Sequence, residues 1–225
     1  MSQKFEAVFF DLDGTLLNTI GTYRHIMNEL LTERGFPNHE LDSYCRFIGN
    51  GAQNFIRLSL PEPERSPQQI NEILSDFHRI YKQTYSEHSQ LYTGVTPLLK
   101  NLQKGGIKMA VLSNKAHDLT QKCVAHYLAD IHFETVIGQS EKHKKPDPSG
   151  VFALVKQFEL PIEKIVFVGD TEVDLITAAN AGMSSVAVTW GYRSKSILEN
   201  HNPNFIVQHP NELYALFNTP VVQQA

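Results

Sequence analysis

The chain has 225 residues, of which 41% are hydrophobic and 20% are charged, and its formal net charge is -4. This length and apolar content can bury a sizeable core, and we expect one large domain with an insert. The negative net charge argues against a nucleic-acid partner, for which a basic face would be expected. No apolar run approaches the roughly 18 residues of a membrane span, so no membrane association is predicted.

Cysteine usage and the N-terminal sequence predict a cytoplasmic protein. Cys45 and Cys123 are the only cysteines, which fits a reducing compartment better than a disulfide scaffold. The ten histidines show no close zinc-ligand spacing. Residues 1–4 run straight into an apolar segment, so no signal peptide is predicted. The sequence leaves monomer and homodimer equally open.

The first predicted strand, over 5–10, ends in two aspartates within Asp11-Leu12-Asp13-Gly14-Thr15. Asp11 and Asp13 would face the same way in extended backbone, and the small residues after them allow a phosphate close to the backbone amides. Two carboxylates about 4 Å apart repel by roughly 4 kcal/mol at an effective dielectric near 20. Either one takes a proton or a cation joins them. Mg²⁺ would let Asp11 stay ionised as a nucleophile and leave Asp13 as general acid and base.

A helical segment follows, from about residue 17 to residue 89, with hardly any strand signal. One apolar stripe runs from Ile20 to Leu31 and ends near Gly35. A longer stripe runs from Ile70 to Tyr81, in a helix predicted to begin at Ser66. We therefore predict a helical cap domain over 17–89, inserted into a core domain formed by 1–16 and 90–225.

Within this predicted cap, the segment 47–52 carries two glycines ahead of a predicted helix. Free amide groups and a helix N-terminus would allow this segment to meet a small anion such as a carboxylate. A plain glycine turn between helices is the alternative. The candidate substrate-binding residues here are Gly49, Asn50 and Gly51. Arg57 or Arg46 could add a cation to the pocket, although exposed arginine is the commoner explanation.

Four further strands alternate with amphipathic helices downstream. Their near-continuous apolar character suits a parallel sheet covered on both faces, and we expect an α/β fold with a Rossmann-like core. The predicted strands cover 107–112, 133–137, 164–169 and 185–189. The predicted helices cover 95–104, 117–128, 149–158 and 173–181. Gly105 and Gly182 stand at expected helix C-caps. Ligands of such sheets bind at the carboxyl ends of the strands.

Three downstream segments place polar residues at or near these strand ends. Ser113 follows the second strand, where its hydroxyl could hydrogen-bond a phosphoryl oxygen or simply cap a helix. Lys145 lies in Lys145-Pro146-Asp147-Pro148, whose prolines hold the loop extended, and Lys144 is its adjacent rival. Asp170 and Asp174 follow the fourth strand with i, i+4 spacing.

In this order the four segments resemble the motifs of the haloacid dehalogenase superfamily, whose first motif has the form DxDGT. Most members hydrolyse phosphate esters through an aspartyl-phosphate intermediate. The resemblance spans essentially the whole chain. It implies the haloacid dehalogenase fold, a Mg²⁺ cofactor, and a cap that covers the site, excludes water and selects a small phosphorylated metabolite.

The resemblance also implies a role for each motif residue. The implied catalytic residues are Asp11 as nucleophile, Asp13 as acid and base, and Ser113 and Lys145 as groups that stabilise phosphoryl charge. The implied metal ligands are Asp11, the backbone carbonyl of Asp13 and Asp170, with Asp174 as a supporting residue. Thr15 and Asn114 are further candidate substrate-binding residues.

Two short segments narrow the expected substrate. The segments 47–52 and Trp190-Gly191-Tyr192 resemble parts of phosphoglycolate phosphatases, so hydrolysis of 2-phosphoglycolate is the leading expectation. A pyrophosphatase, a broader sugar or nucleotide phosphatase, a phosphomutase and a non-catalytic phosphate-binding module are the alternatives. Tyr23 and Ala52 stand where sugar phosphomutases of the superfamily have a cap histidine and arginine, which disfavours a mutase. The choice between Mg²⁺ and Mn²⁺ stays open.

Overall fold

A computed structural model of the chain describes residues 5–218; residues 1–4, over which no signal peptide is predicted, and residues 219–225 lie outside the described part. The strands in the described part are β1 (Ala7–Phe10), β2 (Leu17–Asn18), β3 (Gln90–Leu91), β4 (Lys108–Ala116), β5 (Thr135–Gln139), β6 (Ile165–Gly169), β7 (Ser184–Val188) and β8 (Phe205–Val207). The helices are α1 (Ile20–Glu33), α2 (Leu41–Phe47), α3 (Ala52–Ser59), α4 (Pro67–Thr84), α5 (Val95–Lys104), α6 (His117–Tyr127), α7 (Ser149–Phe158), α8 (Glu172–Ala181), α9 (Lys195–Glu199) and α10 (Pro210–Asn218). Short 3₁₀ turns cover Glu62–Glu64 and Ile162–Lys164.

Six strands form one parallel sheet in the order β5-β4-β1-β6-β7-β8. In the register of this sheet, Phe10 lies beside Val111 on one side and Val168 on the other. Strand order reverses at β1, which is the doubly wound arrangement of a Rossmann-like core. The predicted α/β fold with a parallel sheet is confirmed. Strands β1, β4 and β6 are neighbours, so residues at their carboxyl ends come together.

Both faces of this sheet are covered, which explains the continuous apolar runs of its strands. Along β1, Val8 and Phe10 pack into one hydrophobic cluster, while Ala7 and Phe9 pack into another on the opposite face. The Phe9 ring meets Phe158 of α7 edge to face, with 5.1 Å between ring centroids. Burial on both sides therefore fixes the strand that carries the first motif.

The four helices α1 to α4 form a separate layer over the carboxyl edge of the sheet. Their common core is aromatic, and the Tyr23 ring contacts those of Phe55 and Phe77, with centroids 5.0 and 5.2 Å apart. Helix α4 begins as expected, because the Ser66 side chain accepts a hydrogen bond from the Gln69 amide. An antiparallel ribbon of β2 and β3 joins this layer to the sheet. The predicted cap domain over 17–89 begins in β2 and ends one residue before β3.

Some elements lie outside the sequence-based expectations. Strand β4 continues to Ala116, and the edge strand β8 has only three residues, two of them half-buried. The short helices α2, α9 and α10 were not predicted either. The helix C-caps predicted at Gly105 and Gly182 are confirmed, because these residues end α5 and α8. Across residues 5–218, none of the helices is both long enough and apolar enough to cross a membrane.

Candidate active site

The first site residue, Asp11, follows β1 directly and is only 6% exposed. Its Oδ1 accepts a hydrogen bond of 2.7 Å from the Leu12 amide and lies 3.0 Å from the Lys145 ammonium. Burial raises the pKa of Asp11 to about 6; Lys145 opposes the rise, and the carboxylates of Asp174 and Asp13 add to it. Asp11 is thus a buried carboxylate with a cation on one side.

Asp11, Asp170 and Asp174 form a buried group of carboxylates, and one oxygen from each lies within 4.8 Å of the other two. One ammonium, that of Lys145, contacts two of them, so three carboxylates against one cation leave an excess of two negative charges if all are ionised. Burial, followed by Asp174 and Asp11, raises the pKa of Asp170 well above its usual range. A set of oxygen donors with excess negative charge fits a hard divalent cation such as Mg²⁺.

Asp170 is held on both of its oxygens. Thr15 Oγ1 donates to Oδ1 at 2.9 Å, and the Tyr192 amide donates to Oδ2 at 2.8 Å. The backbone at Gly14 and Gly191 lies close against the Asp170 side chain. A Cβ at Gly14 would lie 2.2 Å from Asp170 Oδ2, and a Cβ at Gly191 would lie 2.3 Å from Asp170 Cβ. Thr15 therefore serves to orient a carboxylate in this structure.

Lys145 bridges two carboxylates, whereas its neighbour Lys144 is exposed. The Lys145 ammonium donates to Asp174 Oδ1 at 2.6 Å and pairs with Asp11 on its other side. Burial alone would lower the pKa of Lys145, but Asp11 and Asp174 more than offset this and raise it. The second oxygen of Asp174 accepts from the Thr171 amide and hydroxyl, at 3.0 and 2.8 Å.

The end of β4 connects three parts of the site. The Asn114 amide group donates to the Gly49 carbonyl at 3.0 Å and to the Lys145 carbonyl at 2.9 Å, and its oxygen accepts from the Lys145 amide at 2.8 Å. Its side chain therefore bonds the backbone of Gly49 in the helical layer and of Lys145. Ser113 is buried, and its hydroxyl accepts a hydrogen bond from the Lys115 amide.

Asp13 faces the helical layer and is surrounded by donors. The Lys115 ammonium donates to its two oxygens at 2.9 and 2.7 Å, Thr19 Oγ1 donates at 2.8 Å, and the Tyr23 hydroxyl donates at 3.3 Å. Lys115 and Thr19 were not predicted as site residues from the sequence, and Tyr23 was considered only because it stands where sugar phosphomutases have a cap histidine. The available signal was a basic residue immediately after Ser113-Asn114, at the end of a predicted strand.

A small cavity of about 20 Å³ lies between the sheet edge and the helical layer. This volume holds about one water molecule. Its lining residues are Asp11, Asp13, Tyr23, Ile48, Gly49, Gly51, Ser113, Asn114 and Lys115. A wider groove of about 680 Å³ runs along α1 and contains none of the motif residues.

The cavity includes part of the glycine segment and neither candidate arginine. Gly49 and Gly51 line the cavity, and both have a positive φ. Asn50, which lies between them in the chain, does not line the cavity. Arg57 is exposed and donates to Asn54 at 3.0 Å, and Arg46 is exposed as well. The structure therefore does not bring Asn50 or Arg57 together with the other candidate substrate-binding residues.

The segment after β7 ties the carboxylate group to the helical layer. Trp190 Nε1 donates to the Thr15 carbonyl at 2.9 Å. The Tyr192 hydroxyl accepts from the Thr19 amide at 3.1 Å. Arg193 pairs with Glu172 at 2.7 Å and donates to backbone carbonyls at the end of α2, with 2.8 Å to that of Ile48.

Comparison with known proteins agrees with this architecture. A family model described as haloacid dehalogenase-like hydrolase matches residues 8–188. A phosphoglycolate phosphatase from Pseudomonas savastanoi pv. phaseolicola is 31% identical over 211 residues, which cover 92% of this chain and 77% of that protein. A phosphoglycolate phosphatase from Vibrio cholerae is 29% identical over 214 residues, with 91% and 93% covered.

Solved structures share the whole fold. The crystal structure of a predicted phosphoglycolate phosphatase from Haemophilus somnus matches with a TM-score of 0.86 and 26% identity, covering 95% of this chain and 98% of that chain. The crystal structure of a protein from Lactobacillus delbrueckii subsp. bulgaricus matches with a TM-score of 0.89 and 27% identity, covering 96% of this chain and 100% of that chain. Since the family match spans most of the sheet and the strand ends that carry the four motifs, the chain belongs to the haloacid dehalogenase-like hydrolases.

Proposed function

We propose that this chain is a Mg²⁺-dependent phosphatase that hydrolyses a small phosphomonoester, with 2-phosphoglycolate as its favoured substrate. The observation that carries the proposal is the placement of the Asp11 carboxylate, 3.0 Å from the Lys145 ammonium and on the wall of one small cavity that Asp13 and Ser113 also line. Relatives that carry the name phosphoglycolate phosphatase align over most of the chain, which supports the choice of substrate.

In the first proposed step, an Asp11 oxygen attacks phosphorus in line with the ester oxygen. The bond between phosphorus and the ester oxygen breaks as the new bond to Asp11 forms, and Asp13 transfers its proton to the departing alkoxide. Ser113 and Lys145 donate hydrogen bonds to the phosphoryl oxygens while charge shifts between the two bonds. The products are the free alcohol and an aspartyl phosphate.

In the second proposed step, water hydrolyses the aspartyl phosphate. Asp13, now a carboxylate, takes a proton from the water as its oxygen attacks phosphorus, and the bond between phosphorus and Asp11 breaks. Asp13 is thereby reprotonated, Asp11 is regenerated, and inorganic phosphate leaves. The two aspartates keep distinct roles because only Asp11 belongs to the carboxylate group described above.

The proposed metal ligands are Asp11, Asp170 and the backbone carbonyl of Asp13. Asp174 has a supporting role in this proposal, because both of its oxygens already accept hydrogen bonds from Lys145 and Thr171. A bound Mg²⁺ would offset the negative charge of the carboxylates and of the phosphoryl group.

The cavity bears on how a substrate enters the site. It holds about one water molecule at about 20 Å³, so we propose that the substrate enters while the cap is displaced from the core. We propose that residues 17–89 move as this cap over a core formed by 1–16 and 90–225. A sugar or nucleotide leaving group would require a larger space between the two when the cap closes again.

The test is steady-state phosphate release with Mg²⁺ across 2-phosphoglycolate, pyrophosphate, sugar phosphates and nucleotides. The expected preference for 2-phosphoglycolate is about a hundredfold in kcat/KM, or roughly 2.7 kcal/mol of transition-state binding. Asp11→Asn should lower the rate by more than about a thousandfold while the protein still folds cooperatively, because it removes the nucleophile and keeps the side-chain volume.

Asp147→Asn makes the same chemical change on an exposed side chain and should keep full activity. A flat substrate profile would contradict the choice of 2-phosphoglycolate. Normal phosphate release by Asp11→Asn would contradict the whole mechanism.

A further inference from the structure

We infer that Lys115 is a specificity-determining residue, which binds a negatively charged group on the leaving alcohol of the substrate. In 2-phosphoglycolate this group is the carboxylate. The inference rests on the proposed function, and it places the recognition of the leaving group on a residue of the sheet rather than on the cap arginines considered from the sequence.

The position of Lys115 defines which part of a substrate it would meet. Its side chain is 1% exposed, and its ammonium lies 2.7 Å from Asp13 and 3.2 Å from the Tyr23 hydroxyl. In the proposed mechanism, Asp13 must contact the ester oxygen that leaves. A cation this close to Asp13 therefore lies beside the leaving group.

Lys145, the second buried lysine of the site, lies on the side away from the leaving group. Lys145 contacts Asp11 and Asp174, the carboxylates on the phosphoryl and metal side. Among the described residues that line the cavity, Lys115 is the only cation. An anion on the leaving alcohol would therefore find its charge partner in Lys115.

Aromatic and backbone groups complete the same wall. The ammonium lies 4.8 Å from the centroid of Tyr23 and 4.5 Å from that of Tyr81, so two cap rings face it. Gly51 also lines the cavity and precedes α3, whose first turn has no side-chain cap. A carboxylate here would meet the ammonium, the Tyr23 hydroxyl and the start of that helix.

The present partner of Lys115 explains how the site can be coupled to its substrate. The ammonium now shares its protons between both oxygens of Asp13 and the Tyr23 hydroxyl. A substrate carboxylate would offer it a second anion to pair with, and Asp13 would gain a free oxygen to face the leaving group. A substrate without that charge leaves the pair of Lys115 and Asp13 as it is.

The competing explanation is that Lys115 only positions Asp13. A positioning role would lower kcat/KM by the same factor for every phosphomonoester. Recognition of an anion predicts a selective loss, so the decisive quantity is the ratio of kcat/KM for 2-phosphoglycolate and for its uncharged amide, 2-phosphoglycolamide. These two substrates differ in charge and hardly in size.

We would measure this ratio for the wild-type enzyme, Lys115→Met and Lys115→Arg. Lys115→Met should lower kcat/KM for 2-phosphoglycolate about 10- to 100-fold more than for the amide, the range for a hydrogen bond between charged groups. Lys115→Arg should recover part of the preference because it keeps the charge. Lys100→Met, which removes an exposed lysine of α5, should leave the ratio unchanged.

Binding without turnover gives a second measurement. In an Asp11→Asn background, calorimetry should show that Lys115→Met weakens the binding of 2-phosphoglycolate by a similar factor. The binding of the amide should change little. If Lys115→Met does not fold, Asp13→Asn with Lys115→Met removes both members of the ion pair, and the same selective loss of affinity is expected.

Equal losses for both ligands, or no loss, would overturn the inference. This failure is distinguishable from failure of the proposed function. A wild-type enzyme that hydrolyses both esters equally keeps the phosphatase chemistry and refutes recognition by Lys115. A wild-type enzyme that hydrolyses neither ester refutes the proposed function itself.

Discussion

At the scale of single residues, the site depends on how closely backbone can approach a carboxylate. Gly14 has a φ of +88°, and a Cβ there would lie 2.2 Å from Asp170 Oδ2. Thr15, the next residue, donates to the other oxygen of the same carboxylate from 155 positions away in the chain. The turn after β1 therefore carries Asp11, the proposed nucleophile, and holds a second, distant aspartate in place by contact.

Gly14→Ala tests this contact. We expect the substitution to displace Asp170 and to lower both Mg²⁺ affinity and phosphate release by at least about tenfold, since a misplaced ligand loses metal binding. Activity as a function of Mg²⁺ concentration would measure the effect.

Gly35→Ala is the matched control, because Gly35 also has a positive φ, +71°, but a Cβ there would have no atom within 4 Å. It should cost about 1 to 2 kcal/mol of unfolding free energy from backbone strain and leave activity intact. If Gly14→Ala behaved like this control, the close approach to Asp170 would have no catalytic meaning.

At the scale of elements, Arg193 is the connection between the segment after β7 and the end of α2. Its guanidinium pairs with Glu172 on the core side and donates to the carbonyls of Cys45 and Ile48 on the cap side. Despite its charge, the residue is only 7% exposed. Buried hydrogen bonds to a charged group contribute more than exposed ones, so this residue should favour the closed position of the cap.

Arg193→Met should release the cap. We expect faster hydrogen exchange over residues 45–51 and an increase in KM of about tenfold or more, because closure over the substrate loses charged hydrogen bonds. Lys195→Met, which breaks an exposed pair with Glu199, is the control and should change neither quantity. Unchanged exchange over 45–51 in Arg193→Met would show that other contacts hold the cap.

Much of this arrangement could be predicted from local sequence. The strand that bears Asp11 is apolar at every position because both faces are buried, and Gly182 ends α8 in the left-handed conformation that glycine favours. Charged residues after such strands identify the sheet edge that carries the chemistry.

Contacts between distant segments could not be predicted in the same way. Lys115 is 102 residues from Asp13, and only the folded chain shows that the two form a pair. Arg57 was a reasonable candidate from its place in the cap, but the helix rotation turns it to solvent. The strand β8 was not predicted because three residues, two of them half-buried, give too short a pattern.

At the scale of the whole molecule, the carboxylate group should make stability depend on the metal. Three buried carboxylates surround a single ammonium that contacts two of them, so the ion-free fold contains repulsion that a divalent cation would relieve. Mg²⁺ that binds only the folded state at a hundred times its Kd adds about 2.7 kcal/mol to the free energy of unfolding.

We therefore expect Mg²⁺ to raise the thermal unfolding temperature, and chelation to lower it and abolish phosphate release reversibly. Asp170→Asn should remove the Mg²⁺ response and, without metal, should be more stable than the wild-type protein because a buried carboxyl that Asp174 and Asp11 repel when it is ionised is gone. Asp147→Asn, on an exposed side chain, should respond as the wild type does. A wild-type unfolding temperature that is independent of Mg²⁺ would contradict this assignment.

The ribbon of β2 and β3 has an evolutionary consequence. Leu17 and Asn18 leave the sheet beside Gln90 and Leu91, which return to it, so the inserted helices begin and end at one point. An insert whose two ends are already adjacent can change in length at little entropic cost, because loop closure depends only weakly on the number of residues. Evolution can therefore exchange the inserted helices as one unit. The same sheet, with its aspartates unchanged, could then act on new metabolites.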